Sequence, residues 1–213
     1  MKKTPSVLPG APAPCYPSPA QDSVSAQTNE AGCWEEGPLP HNVRAGKNTL
    51  ISGHLAFKRY HATQPDALIL GDNGTFDGVH FCLGIEGRVR VGDFCYLTNV
   101  VLLCELEVVI GNYVLIGWNT TITDTDFHPI APALRVADAI ACSPLGNVRR
   151  SRAVERRPVV IEDNVWIGPN STILKGVRIG AGAIIEPGSM VTQDVPPGAW
   201  VMGNPAQMVE LGK

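Results

Sequence analysis

Six consecutive hexads carry the decision about fold: Ile161-Glu-Asp-Asn-Val-Trp, Ile167-Gly-Pro-Asn-Ser-Thr, Ile173-Leu-Lys-Gly-Val-Arg, Ile179-Gly-Ala-Gly-Ala-Ile, Ile185-Glu-Pro-Gly-Ser-Met and Val191-Thr-Gln-Asp-Val-Pro. An aliphatic residue opens each unit. A small or β-branched one (Val165, Ser171, Val177, Ala183, Ser189, Val195) stands four places later, with Gly, Asp, Asn and Pro between. A period of six fits neither the 3.6 of an amphipathic helix nor the 2 of an alternating strand. It fits a chain that makes a short strand, turns a corner and repeats, so that each opening aliphatic stacks over its equivalent one coil away. That is a parallel β-helix.

Upstream, the same pattern is ragged near Leu70. It reads as regular through Val79, Ile85, Val91, Leu97 and Leu103, slips by one residue near Glu107, and resumes at Ile110, Ile116 and Ile122. It then stops until Ile161. The gap, residues 123–158, ends in a basic run from Arg149 to Arg157. A long excursion inside a strict repeat is uncommon unless it serves function or is disordered, and solenoid insertions gather on one face. Residues 1–47 are rich in Pro, Ala, Ser and Gly, so this stretch reads as a tail lacking the apolar content to pack; the repeat domain is expected over 48–213, with Leu50, Ile51, Leu55 and Phe57 as its first strands. After Val195 the remaining residues, Gln207 to Lys213 among them, are expected to help cap the last layer.

Composition narrows the function. The 213 residues hold 22 Gly and 18 Pro, few aromatics (6%) and a net charge of −3. A nucleic-acid binder would be strongly basic. No apolar run reaches the length of a membrane span, and the lysines at positions 2 and 3 have no apolar segment behind them, so a cytoplasmic location is expected. The six cysteines (15, 33, 82, 95, 104, 142) show no CxxC spacing and read as reduced and structural; no metal is expected.

The candidate chemistry stands at the mouth of the excursion. In Ile122-Thr-Asp-Thr-Asp-Phe-His128-Pro, an extended strand would put Asp124, Asp126 and His128 on one face. A carboxylate beside an imidazole fixes its tautomer and suits it as a general base; the plainer account is a loop histidine capped by a neighbouring aspartate. No nucleophile competes. Ser171, Ser189, Cys95 and Cys104 occupy places expected to face the coil interior, which favours direct transfer between two bound substrates over a covalent intermediate.

Four segments carry a family resemblance: Ile110-Gly-Asn-Tyr-Val-Leu-Ile-Gly117, Asp124-Thr-Asp-Phe-His-Pro129, Val160-Ile-Glu-Asp-Asn-Val-Trp-Ile-Gly168 and Gly203-Asn-Pro-Ala206. Over residues 70–210 the chain resembles the hexapeptide-repeat acyltransferases, nearest the branch of maltose, galactoside and polysaccharide O-acetyltransferases. The resemblance implies an all-β, left-handed parallel β-helix, a homotrimer with sites in grooves between coils, and acetyl-coenzyme A as co-substrate. It implies His128 as the base, with Asp126 or Asp124 orienting it. Trp166 and Gly168 would line the acyl and pantetheine channel, with a backbone N–H such as that of Gly168 steadying the oxyanion. Gly188, Gly203, Asn204 and Pro205 would lie along coenzyme A, and Asn99 and Glu105 would hold the acceptor. Three residues depart from the pattern: Pro169, Pro187, which lacks an N–H, and Gln207, which stands where a basic residue often meets the coenzyme's phosphates. Arg149–Arg157 or Lys213 could supply that charge, or the run could be a solvated loop. Trp118, at a corner, is expected at a subunit interface or stacked on the acceptor.

The implied reaction is O-acetylation of a sugar or glycan precursor. Serine, amino sugars, nucleotide sugars and xenobiotics stay open as acceptors, and so does a non-catalytic trimeric scaffold. A zinc hydratase on the same coil needs three histidines from two subunits, and no histidine follows His128.

Overall fold

The computed structural model describes residues 31–144, 146 and 154–209. The chain winds about seven times around a triangular core, so three parallel sheets stack along one axis. The nine-stranded sheet runs Cys33–Trp34, Leu50–Ser52, Thr75–Asp77, Tyr96–Thr98, Leu115–Ile116, Trp166–Ile167, Ile184–Ile185, Trp200–Gly203 and Ala206–Met208. The six-stranded sheet runs from Val43–Ala45 to Arg178–Ile179, and the five-stranded sheet from His80–Leu83 to Met190–Val191. Pairing is parallel throughout except the last, where Ala206–Met208 folds back antiparallel on Trp200–Gly203. The parallel β-helix expected from the repeat is the fold observed.

Register explains the hexad. In the nine-stranded sheet Ile51, Phe76, Leu97, Ile116, Ile167, Ile185 and Val201 lie one above another, each no more than 3% exposed. Burying such a side chain is worth roughly 1.5–3 kcal/mol relative to leaving it in water. Ser171 and Ser189 sit in the small-residue places, 1% exposed, and donate to the carbonyls of Gly168 (2.8 Å) and Glu186 (2.6 Å), so they close corners as expected.

The corners are also stacked. Between the six- and nine-stranded sheets, the carboxylate or amide Oδ1 of Asp72, Asp93, Asn112 and Asp163 each accepts a backbone N–H from the coil before, at 2.7–2.8 Å. At the corner from the nine- to the five-stranded sheet, Gly168 lies so close to the next coil that a Cβ there would meet Pro187 N at 2.6 Å. Pro169 packs the same way over Gly117. These prolines occupy coil edges, where a missing N–H breaks no ladder.

Three expectations are corrected. Ile85 is 63% exposed: it lies in a widened corner between the strands His80–Leu83 and Arg88–Val91, not in the core. Leu103 also points outward, because Val101–Cys104 is long enough to alternate and sends Leu102 and Cys104 inward. The third concerns the start of the coil. Cys33–Trp34 and Val43–Ala45 already pair into the sheets, so strands begin N-terminal of residue 48; Trp34 packs edge-on against Phe57 at 5.0 Å, closing that end. Residues 1–30 of the expected tail lie outside the described residues.

The excursion opens on Asp124, which is fully buried. Its carboxylate accepts the backbone N–H groups of Glu105 (2.9 Å), Leu106 (2.7 Å) and Glu107 (2.7 Å) from the coil below. The Cys104 thiol adds a contact at 3.3 Å. The chain returns alongside its own exit: Thr125 bridges Arg156, and the Arg157 N–H reaches the Asp124 carbonyl at 2.9 Å.

Two outcomes follow from this packing. Removing a buried carboxylate that holds three amides strands those donors, so Asp124→Ala should lower stability by roughly 3 kcal/mol; an unchanged denaturation midpoint would exclude the corner role. Burial raises the thiol pKa of both Cys95 and Cys104, the second further through the adjacent Asp124 carboxylate. Iodoacetamide at neutral pH should therefore label the exposed Cys142 and leave these two untouched until denaturant is added, as read by peptide mapping.

Candidate active site

The segment after Thr123 does not stay extended. Phe127 takes a left-handed φ of 63°, and the His128 N–H bonds back to the Asp126 carbonyl at 2.7 Å. That kink lifts His128 off the face it would share with Asp124 and Asp126. Its ring Nδ1 instead meets Asp138 Oδ2 at 2.5 Å. The histidine side chain is 58% exposed and the aspartate side chain 1%, so a buried carboxylate holds an accessible imidazole. With Asp138 ionised, the short contact requires the proton on Nδ1 and leaves the lone pair on Nε2.

Asp138 comes from a helix, α1 (Pro132–Ala141), that the repeat reading did not anticipate. Proline at its first turn is compatible with helix geometry, and the run Pro132-Ala-Leu-Arg-Val-Ala-Asp-Ala-Ile-Ala141 is rich in good helix formers. That composition was the available signal. Asp138 is its one buried residue.

The two aspartates expected to orient His128 are engaged elsewhere. Asp124 holds the corner below, as described. Asp126 Oδ1 pairs with Lys175 Nζ at 2.9 Å, an interaction that raises the lysine pKa, chiefly through the hydrogen bond itself. Glu155 also reaches Lys175 (3.4 Å) and accepts from Arg157 Nε at 2.7 Å; these cations lower its pKa, the Arg157 bond most. Asp126, Glu155 and His128 line a cavity of about 160 Å³ together with Pro129, Ile130, Ala131, Leu134 and Val154. Asp126 Oδ2 is buried without a hydrogen-bond partner among the described residues.

The basic run divides. Arg156 donates to Glu86 Oε2 (2.9 Å) and to the Glu105 carbonyl (3.3 Å), and with Arg157 it fastens the returning strand. Arg149, Arg150 and Arg152, like Lys213, lie outside the described residues.

The residues matched to a coenzyme A path share one side of the coil. Trp166 points outward from the nine-stranded sheet, 39% exposed, between Leu115 and Ile184. Gly188 turns the next corner with a φ of 74°, and a Cβ there would touch nothing within 4 Å. Gly203, Asn204 and Pro205 form the exposed turn of the terminal hairpin, with a cis peptide before Pro205. Gly168 does not offer the free donor expected of it, since its N–H bonds the Ile185 carbonyl at 2.8 Å within the coil ladder.

The acceptor pair is separated. Asn99, with a φ of 49°, turns the corner from the nine- to the five-stranded sheet, whereas Glu105 lies beyond Val101–Cys104 at the next corner, beside Asp124. Likewise His128 leaves the coil after the five-stranded sheet, while Trp166, Gly188 and Gly203 belong to the nine-stranded sheet and its edge. Trp118, 55% exposed, stands at the corner between those two sheets.

The repeat matches a family model described as bacterial transferase hexapeptide (six repeats) over residues 158–193. The chain is 34% identical over 130 residues to a galactoside O-acetyltransferase of Lactococcus lactis, an alignment spanning 61% of this chain and 51% of that protein. It is 58% identical over 53 residues to a 2,3,4,5-tetrahydropyridine-2,6-dicarboxylate N-acetyltransferase of Staphylococcus aureus, covering 25% of this chain and 22% of that one. The chain thus spans about half the length of the first relative and under a quarter of the second. A hexapeptide-repeat-containing acetyltransferase of Vibrio cholerae superposes with a TM-score of 0.53 at 30% identity, over 73% of this chain and 76% of that one. Its complex with acetyl coenzyme A gives 0.55 at 33% identity, over 66% and 69%. With the repeat, the coil and that shared length in agreement, the chain belongs to the hexapeptide-repeat acyltransferase family.

Proposed function

We propose that the protein is an acetyl-coenzyme A-dependent acetyltransferase acting on a hydroxyl of a sugar or glycan precursor, with His128 as general base. The observation that carries this reading is the exposed imidazole held at 2.5 Å by the buried Asp138, at the rim of a cavity lined by two further carboxylates. Asp138 keeps the proton on Nδ1 and stabilises the imidazolium that forms when Nε2 takes the acceptor's proton. Glu155, half exposed beside the cavity, offers carboxylate oxygens that can accept from the hydroxyls of a sugar. The freed oxygen attacks the thioester carbon of acetyl-coenzyme A, the C–S bond breaks, and the departing coenzyme A thiolate takes the proton held on Nε2, so the imidazole is restored and no residue of the chain need become acylated. The exposed Trp166, Gly188 and the Gly203–Pro205 turn offer the pantetheine arm an open face of the coil.

Because the histidine and that side belong to different corners of one chain, the reading requires a second copy to complete each site. A homotrimer would meet that need, and the exposed Trp118 and Tyr96 are side chains it could cover. The relative named as an O-acetyltransferase supports the hydroxyl acceptor. The one named as an N-acetyltransferase makes amines the comparison arm.

The test is acetyl-coenzyme A consumption across sugars, amino sugars and amino acids. His128→Ala should keep the wild-type melting profile and lose roughly 10²–10⁴-fold in turnover. Wild-type turnover in that variant would refute the base assignment. Asp138→Asn should lower kcat by at least about tenfold with the KM for both substrates nearly unchanged, because an amide no longer selects the tautomer; a loss confined to KM would show that Asp138 shapes binding instead.

A further inference from the structure

We propose that His128, Asp138 and Cys142 form a site for a zinc-like divalent cation, and that filling it switches the transferase off. One donor atom from each residue lies within 4.8 Å of the other two. Asp138 and Cys142 are four residues apart at the end of α1, where the Cys142 N–H bonds the Asp138 carbonyl at 2.9 Å, so one helical turn presents both to the ring of His128. Imidazole nitrogen, carboxylate oxygen and thiolate are the three donor types zinc takes, and three protein ligands leave the fourth tetrahedral position to solvent. Cys142 and His128 are exposed, so a cation has a route in.

A second observation points the same way. Asp138 is 2% exposed, and its Oδ1 is buried without a hydrogen-bond partner among the described residues. The His128 contact uses only Oδ2. A carboxylate oxygen kept from water and from donors is costly, and a bound cation relieves that cost directly.

The switching half of the proposal rests on His128 being the base. Nδ1 is the nitrogen that faces Asp138, so the metal takes its place there. The Cys142 thiol releases its proton to solvent, and the Nδ1 proton moves to Nε2. A ring metallated at Nδ1 and protonated at Nε2 has no lone pair left for an acceptor hydroxyl. Cys142 plays no part in transfer itself, which makes it the residue that separates the two roles.

The experiment uses the full-length protein with zinc chloride alone, by competition with a chromogenic chelator, and cobalt chloride for the thiolate-to-metal absorption band. Wild type should bind one ion per chain at this site, and Cys142→Ala should weaken zinc by at least about tenfold, since even a lost outer-shell partner costs 10–100-fold. Zinc should inhibit acetyl-coenzyme A turnover in wild type and leave Cys142→Ala, with its unchanged basal rate, uninhibited at the same concentration. Equal zinc affinity in the two proteins would overturn the site, and equal inhibition would overturn the switch. The binding arm needs no acceptor and no turnover. If His128→Ala proved fully active while Cys142→Ala still lost zinc, the base assignment would fail and the metal site would stand.

Discussion

A triangular coil leaves room inside for little beyond one aliphatic layer per turn. Each coil presents one or two inward side chains per face, and the equivalent residues of successive coils stack directly, as Leu97, Ile116 and Ile167 do. No charged side chain can enter that column unless every lone pair is met, because the interior holds neither water nor spare donors. The rest of the architecture answers to this exclusion. Polar groups go to the corners, where Asp72, Asp93, Asn112 and Asp163 tie one coil to the next, and chemistry goes outside altogether.

Asp124 is where the exclusion is relaxed, and three backbone amides make it possible. By anchoring the exit of the excursion to the coil beneath, it gives the departure over residues 123–158 a fixed root. Arg156 and Arg157 fasten the return. On that root, α1 carries Asp138 to His128. The dyad is therefore built by the insertion itself, not by the repeat, and the repeat's contribution is the stacked coil on which the insertion is rooted.

The same design explains why Trp166 and the Gly203–Pro205 turn lie apart from His128 in one chain. Strands of one sheet stack along the axis, so features on the nine-stranded sheet stay on that sheet however many coils are added. Under the proposed function, a groove that uses both sides would be made between copies. Exposed apolar residues on the nine-stranded sheet and its corners, Tyr96, Leu115 and Trp118 among them, are the surface from which such a contact would be made.

How much of this was legible in the sequence follows from the range of each interaction. The period of six, the stacking aliphatics and the buried small places at Ser171 and Ser189 are local, because every coil meets the same constraint and so repeats the same pattern. The position of His128 at the only long break was legible for the same reason. Phase was harder: Ile85 and Leu103 keep the spacing yet point outward, since a widened corner or a longer strand shifts register without changing composition. What only the tertiary structure decided is the partner of His128. Asp124 and Asp126 are nearer in sequence, but a left-handed residue at Phe127 turns the ring away from them and toward a helix ten residues on. A backbone kink and a packed helix are long-range outcomes of folding, and no spacing of acidic residues along the chain encodes them.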